Sequence, residues 1–166
     1  MKKLLYGLLS LIFLFALTGC QEKFDPQTAL TESRTTLTEF MKLHEDEEQV
    51  LSEFNEEELM LFFTEKHKDY FSQNFIDNVL PDKLDNLTFG EDGDFIKMNK
   101  NFPFLNVKIS ETEEKIITWA KMEIKEDEVE EDKESVTFYV SRTGVGGYIE
   151  MVKENGQWKI NNILNL

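Results

Sequence analysis

Cysteine is nearly absent from this chain. Cys20 stands alone, so no intrachain disulfide can form and no cysteine-rich metal site can be assembled. Histidine is almost as scarce. His44 and His67 are 23 positions apart, with no third ligand at metal spacing and no His-Glu-x-x-His on a helix. Gly-x-Ser-x-Gly is missing as well. These absences predict no metal, no cofactor and no catalytic set, and the expectation is a protein that is not an enzyme. Basic residues are few too: 18 Lys and Arg stand against 33 Asp and Glu, a net charge of −15. Polyanion binding relies on Lys and Arg neutralising phosphates, so nucleic acid is not the expected partner. The acid surplus reads as solubility or, more sharply, as a match for a basic protein or peptide partner.

A long hydrophobic run is also lacking. Residues 4–17 are apolar apart from Gly7 and Ser10, and fourteen residues fall short of the roughly 20 that an ordinary span needs. The basic start Met1-Lys2-Lys3, this short run and the small residues after it describe a secretory signal. Leu17-Thr18-Gly19-Cys20 resembles the lipobox of bacterial lipoproteins. That resemblance implies cleavage between Gly19 and Cys20, lipidation of the Cys20 thiol by a diacylglyceryl group, and palmitate-like chains in the bilayer. The alternatives are an ordinary signal with a spare thiol, disfavoured because exported proteins seldom carry one, and an uncleaved anchor. Two acyl chains suffice for stable anchoring. The expected organisation is a signal peptide over 1–19, a lipidated cysteine and short tether over 20–25, and one domain over 26–166. Residues 21–25 reach at most about 17 Å, and loss of Lys2 and Lys3 takes the charge to −17. Arginine is confined to Arg34 and Arg142 amid abundant Lys, Asn, Ile and Phe. That bias fits an AT-rich genome, and the expected location is the outer face of a Gram-positive cell membrane.

What the chain has in quantity is phenylalanine, 14 residues within a 40% hydrophobic content, enough for one core. Asp25-Pro26 reads as an N-cap followed by the first helical position. Leu30, Leu37, Phe40, Met41 and His44 form one helical stripe, and Val50, Leu51 and Phe54 are read as a further turn or two. Asn55-Glu56-Glu57-Glu58 opens a second helix with a capping box. Leu59 to Phe63 is apolar nearly all round, and Lys66, His67 and Lys68 suit a helix C-terminus. Tyr70, Phe71, Phe75, Ile76, Val79 and Leu80 mark a third helix, expected to stop before Pro81.

Turn signals fill residues 82–101, and then the period changes to two. Leu105, Val107 and Ile109 define one strand; Ile116, Thr118, Ala120, Met122 and Ile124 a second; Val136, Phe138 and Val140 a third. Between the last two, residues 126–134 hold seven acids in nine positions and read as an exposed hairpin tip. Asn155-Gly156 suits a type I′ turn. Folding about it pairs Glu154 with Gln157, Lys153 with Trp158, Met151 with Ile160 and Ile149 with Asn162, and gathers Ile149, Met151, Trp158 and Ile160 on one face.

The fold class expected is α+β, N-terminal helices packed on a curved antiparallel sheet of four or five strands. The helix-rich start, the antiparallel meander and the closing strand with Gly156, Trp158 and Ile160 resemble the NTF2-like (cystatin-like cone) superfamily, as do many small bacterial lipoproteins. The resemblance implies a sheet curled into a cone whose mouth holds a ligand, a catalytic pair or packed side chains. His67, Asp69 and Tyr70 are the nearest candidates for such a pair, whereas Phe62, Phe63, Phe71 and Phe75 suggest a cone filled with rings. The function expected is a membrane-anchored, non-enzymatic binding module for a protein, peptide or small ligand. The alternatives are a small-molecule enzyme using the cone as a pocket, and an envelope immunity or exclusion factor. Glu91-Asp92-Gly93-Asp94 lacks the spacing of a calcium loop, and Gly144 to Gly147 reads as a turn or bulge rather than a phosphate cradle. Trp119 shares a face with Lys121, Glu123 and Lys125, and either meets a helix or anchors an interface.

Overall fold

The computed structural model describes residues 23–42, 48–51, 56–85, 101–109, 115–142 and 144–165. The expected signal over 1–19, Cys20, His44, the expected cap at Asn55 and residues 91–94 lie outside the described residues.

Helix α1 spans Pro26–Lys42. The Thr28 amide donates to Asp25 Oδ2 at 3.0 Å and the Ala29 amide to Asp25 O at 2.8 Å, so Asp25 is the cap and Pro26 the first helical residue. The buried stripe is Ala29, Ser33, Leu37 and Phe40, turned by one position from the expected line at its start. Leu30 and Met41 are only partly buried. Small side chains at 29 and 33 let the helix lie close to the sheet. Ser33 tolerates burial because its hydroxyl donates to Ala29 O at 2.6 Å.

Val50 and Leu51 do not extend that helix. They belong to strand β1, Glu48–Leu51, where Val50 faces Ile116 and Leu51 faces Lys115. A run this short carries no decisive period, and pairing with a β-branched partner strand settles it. Helix α2, Glu56–Leu61, widens into a π-type turn at Phe62–Lys66. A 3₁₀ turn, Lys68–Tyr70, and a second π-type turn, Phe75–Val79, then lead into α3, Leu80–Asp85. Pro81 therefore lies inside a helix instead of ending one. The Leu80 amide bonds back five residues to Phe75 O, and this wider register relieves the clash between a proline ring and the preceding turn.

Among the described residues two antiparallel sheets stand where a single one was expected. β2 (Leu105–Ile109) and β3 (Lys115–Trp119) join β1 in the order β1-β3-β2, while β4 (Glu123–Glu130), β5 (Ser135–Arg142), β6 (Val145–Glu154) and β7 (Gln157–Asn165) run in sequence. The strand expected through residues 116–124 is thus broken. Residues 120–122 belong to neither sheet, although the Ala120 amide still donates to Phe104 O at 2.8 Å, one step past the Leu105–Trp119 pair, and Ala120 and Met122 enter the core. The acidic run is a hairpin tip only in its second half. β4 continues through Glu130 and only residues 131–134 turn. As the outermost strand, β4 keeps its acids hydrated while its backbone pairs with β5, and such charge guards an edge against further pairing.

Asn155 at φ +52° and Gly156 at φ +80° form the tight turn, as type I′ geometry requires. Glu154–Gln157, Lys153–Trp158 and Met151–Ile160 pair as expected, but a bulge next to Met151 inserts Asn161, so Ile149 faces Ile163 and Glu150 faces Asn162. The inserted residue places Ile163 with Ile149, Met151, Trp158 and Ile160 in the core. α1 packs on β4, β5 and β7, and the turns at 68–70 and 75–79 pack on β7.

The space between these layers is filled by rings. Phe40, Phe63, Phe71, Phe75, Phe102, Phe104 and Phe138 are fully buried. Phe71 stacks on Phe75 at 4.5 Å and Phe63 on Phe102 at 4.9 Å, while Phe40 meets Phe104 edge-on at 5.2 Å. Burying each such side chain contributes about 1.5–3 kcal/mol.

Candidate functional site

With the interior occupied, open space is found at the end of the four-stranded sheet where α1 begins. A groove of about 720 Å³ runs between the first turns of α1, the β4–β5 turn and the β6–β7 hairpin. The Asp25 cap fixes where α1 starts, and helical spacing then turns Thr28, Ala29 and Glu32 toward the groove. The hairpin supplies Lys153, Gly156 and Trp158, and the β4–β5 turn supplies Lys133 and Glu134. Glu134 holds a left-handed φ of +51°, which closes that turn tightly.

At the groove's base one carboxylate ties helix to sheet. Glu32 Oε2 accepts from Lys153 Nζ at 2.9 Å and from Trp158 Nε1 at 3.0 Å. These two donors, Lys153 first, hold the Glu32 carboxyl below its ordinary pKa. Trp158 is only 5% exposed, so its indole hydrogen bond answers a donor that water reaches poorly. Lys133 is raised by its hydrogen bond and ion pair with Glu130. The walls combine the apolar faces of Phe24, Ala29 and Trp158 with both signs of charge. Such a lining suits an amphipathic ligand carrying a cation and an anion. Its one hydroxyl, on Thr28, is engaged with the Asp25 carboxylate that caps α1, and among the described residues no group of three His, Cys, Asp or Glu side chains is placed to hold a metal.

The candidates named for a catalytic pair lie elsewhere. His67 is buried with its ring 4.7 Å from Phe62. Tyr70 leans on Phe40 at 5.4 Å; its hydroxyl is pushed up by burial first, then by Glu39 and Asp69. Asp69 is exposed, and none of the three lines the groove. Trp119 sits on β3 opposite Leu105; its side chain lies outside the described residues, as do Gly19 and Cys20. Sequence reasoning placed Lys153 opposite Trp158 but missed Glu32, their common partner. Its only signal was an acid two turns into α1, and the contact spans 126 residues.

No family model, no curated protein and no solved structure matches this chain. Among the described residues no helix is long and apolar enough to cross a membrane.

Proposed function

We infer that this chain is a lipoprotein held at the outer face of the cell membrane through Cys20, with an NTF2-like domain that serves as a non-enzymatic binding module. The observation that carries the reading is the position of the groove. Lys23 lines it and stands three residues after Cys20, a distance that extended chain covers in about 10 Å. Lipid on that thiol keeps the groove mouth beside the headgroup layer, where amphipathic ligands and envelope peptides are concentrated. The aromatic rings that fill the interior among the described residues support binding at the surface groove over chemistry inside the fold. The helices lying on the bulged four-stranded sheet support the NTF2-like assignment.

The anchor is tested by detergent phase separation of cells making the wild-type chain or Cys20→Ala. Wild type is expected in the detergent phase and to incorporate radiolabelled palmitate. Cys20→Ala is expected in the aqueous phase without label. A Cys20→Ala chain that stays in the detergent phase overturns the reading.

A further inference from the structure

The four-stranded sheet has a second face, and the strand register defines what it shows. Val136, Phe138, Val140, Ile149 and Met151 are buried beneath the helices, so the residues alternating with them point the other way. One cross-strand row on this outer face reads Glu126, Tyr139, Tyr148, Leu164. The two tyrosine rings meet at 5.2 Å with a 44° tilt. Gly146 lies under Tyr139, where an added Cβ would come within 2.7 Å of the hydroxyl, so glycine there lets the ring lie flat on the strand. Leu164 is 47% exposed. α1, which packs on β4, β5 and β7, reaches Asp127 and the Phe138 ring through Arg34 on the buried face.

Charge decides what covers it. By the same register Glu123, Glu126, Glu128 and Glu130 project from β4 along the border of the tyrosine pair. Glu123 and Glu130 are answered by Lys125 and Lys133; Glu126 and Glu128 lie between them and are exposed. Tyrosine faces attract guanidinium and ammonium groups, and an acidic border favours the same sign of partner while opposing a second copy of a chain at −15.

We propose that the outer face of the β4–β7 sheet, centred on Tyr139 and Tyr148, docks an arginine- or lysine-bearing peptide segment of a partner protein. Its cations lie over the two rings and against Glu126 and Glu128, and its aliphatic side chains lie against Leu164. The proposal rests on neither the lipid anchor nor the groove, so a Cys20→Ala chain binds such a segment equally well.

The test titrates the full chain, in non-ionic detergent, against a fluorescent peptide alternating arginine with serine and against its glutamate counterpart, at low and physiological salt. The arginine peptide is expected to bind and the glutamate peptide not. Tyr139→Ser with Tyr148→Ser weakens binding about tenfold. Glu126→Gln with Glu128→Gln weakens it about threefold and flattens its salt dependence. Glu57→Gln with Glu65→Gln, the same charge change on the exposed helical side, leaves it unaltered. Equal loss in that control reduces the effect to diffuse charge and overturns the proposal. So does full affinity in a tyrosine variant whose circular dichroism is native. A concentration-dependent wild-type dimer abolished by Leu164→Ser would assign the face to a second copy instead. Should the tyrosine variant not fold, the glutamate pair and its control decide alone.

Discussion

At Glu32 a single carboxylate oxygen serves both Lys153 Nζ and Trp158 Nε1, two donors of very different burial. The lysine is 41% exposed and the glutamate 46%, so water screens the ion pair and its worth is only about 0–1 kcal/mol. The indole N–H is the costlier donor to orphan. Glu32→Ala is therefore expected to lower stability by about 1–2 kcal/mol at neutral pH, while Glu32→Gln costs less because its amide oxygen still accepts from Trp158. The pH dependence has a fixed sign. A carboxyl held below its ordinary 4.5 contributes stability above that value and loses it as pH falls through the lower folded-state value. The gap between wild type and Glu32→Gln should be constant from pH 5 upward and close in more acidic solution. Urea titrations at neutral and acidic pH read both, and a gap that widens in acid would remove the carboxylate from this role.

Among elements, the β6–β7 hairpin shows how far sequence reaches. Asn155-Gly156 and the alternation around it give the turn and the first pairs, because each depends on residues near in the chain. The Asn161 bulge is invisible there. Its side chain accepts from Ser72 Oγ at 2.9 Å and Asn74 Nδ2 at 3.2 Å, and donates to Glu150 Oε2 at 3.0 Å. Two of those partners come from a segment almost ninety residues earlier, which also bridges Phe71 to Ile160. Asn161→Ala is expected to cost about 1–3 kcal/mol through three lost contacts. It should also speed amide exchange of Ser72 and Phe75 more than of the β4–β5 hairpin, since the Ser72 amide donates to Ile160 O and the Phe75 amide to Ser72 Oγ. Uniform acceleration would mean the network is not local. The same contrast separates the readings that held from those that did not. Period and capping chemistry locate α1, β2, β5 and the hairpin. Pro81 inside α3 and the Glu32 set depend on a π-type turn and a helix–sheet contact that no local pattern encodes.

For the whole molecule, charge and core act in opposite directions. The ring-filled core sits inside a surface carrying 33 acids against 18 Lys and Arg, so like charges crowd closer on folding than in the extended chain. Local ion pairs such as Arg34–Asp127 at 2.8 Å are partly exposed and offset little of this. Added sodium chloride shortens the reach of both repulsion and attraction, from about 30 Å at 0.01 M to about 8 Å at 0.15 M. Repulsion, spread over many pairs at long range, is reduced most. The chain is therefore expected to gain thermal stability with sodium chloride, by about 2–4 °C, equivalent to about 1 kcal/mol for a chain of this size. Scanning calorimetry across a salt series reads the slope. Arg34→Gln supplies the internal comparison: it adds one unit of net negative charge and removes a guanidinium lying 5.5 Å over the Phe138 ring, so its melting point should fall and its salt slope steepen. A wild-type melting point that drops as salt rises would place the weight on the surface pairs, and would make the acid surplus a structural feature rather than a load carried for a partner of opposite sign.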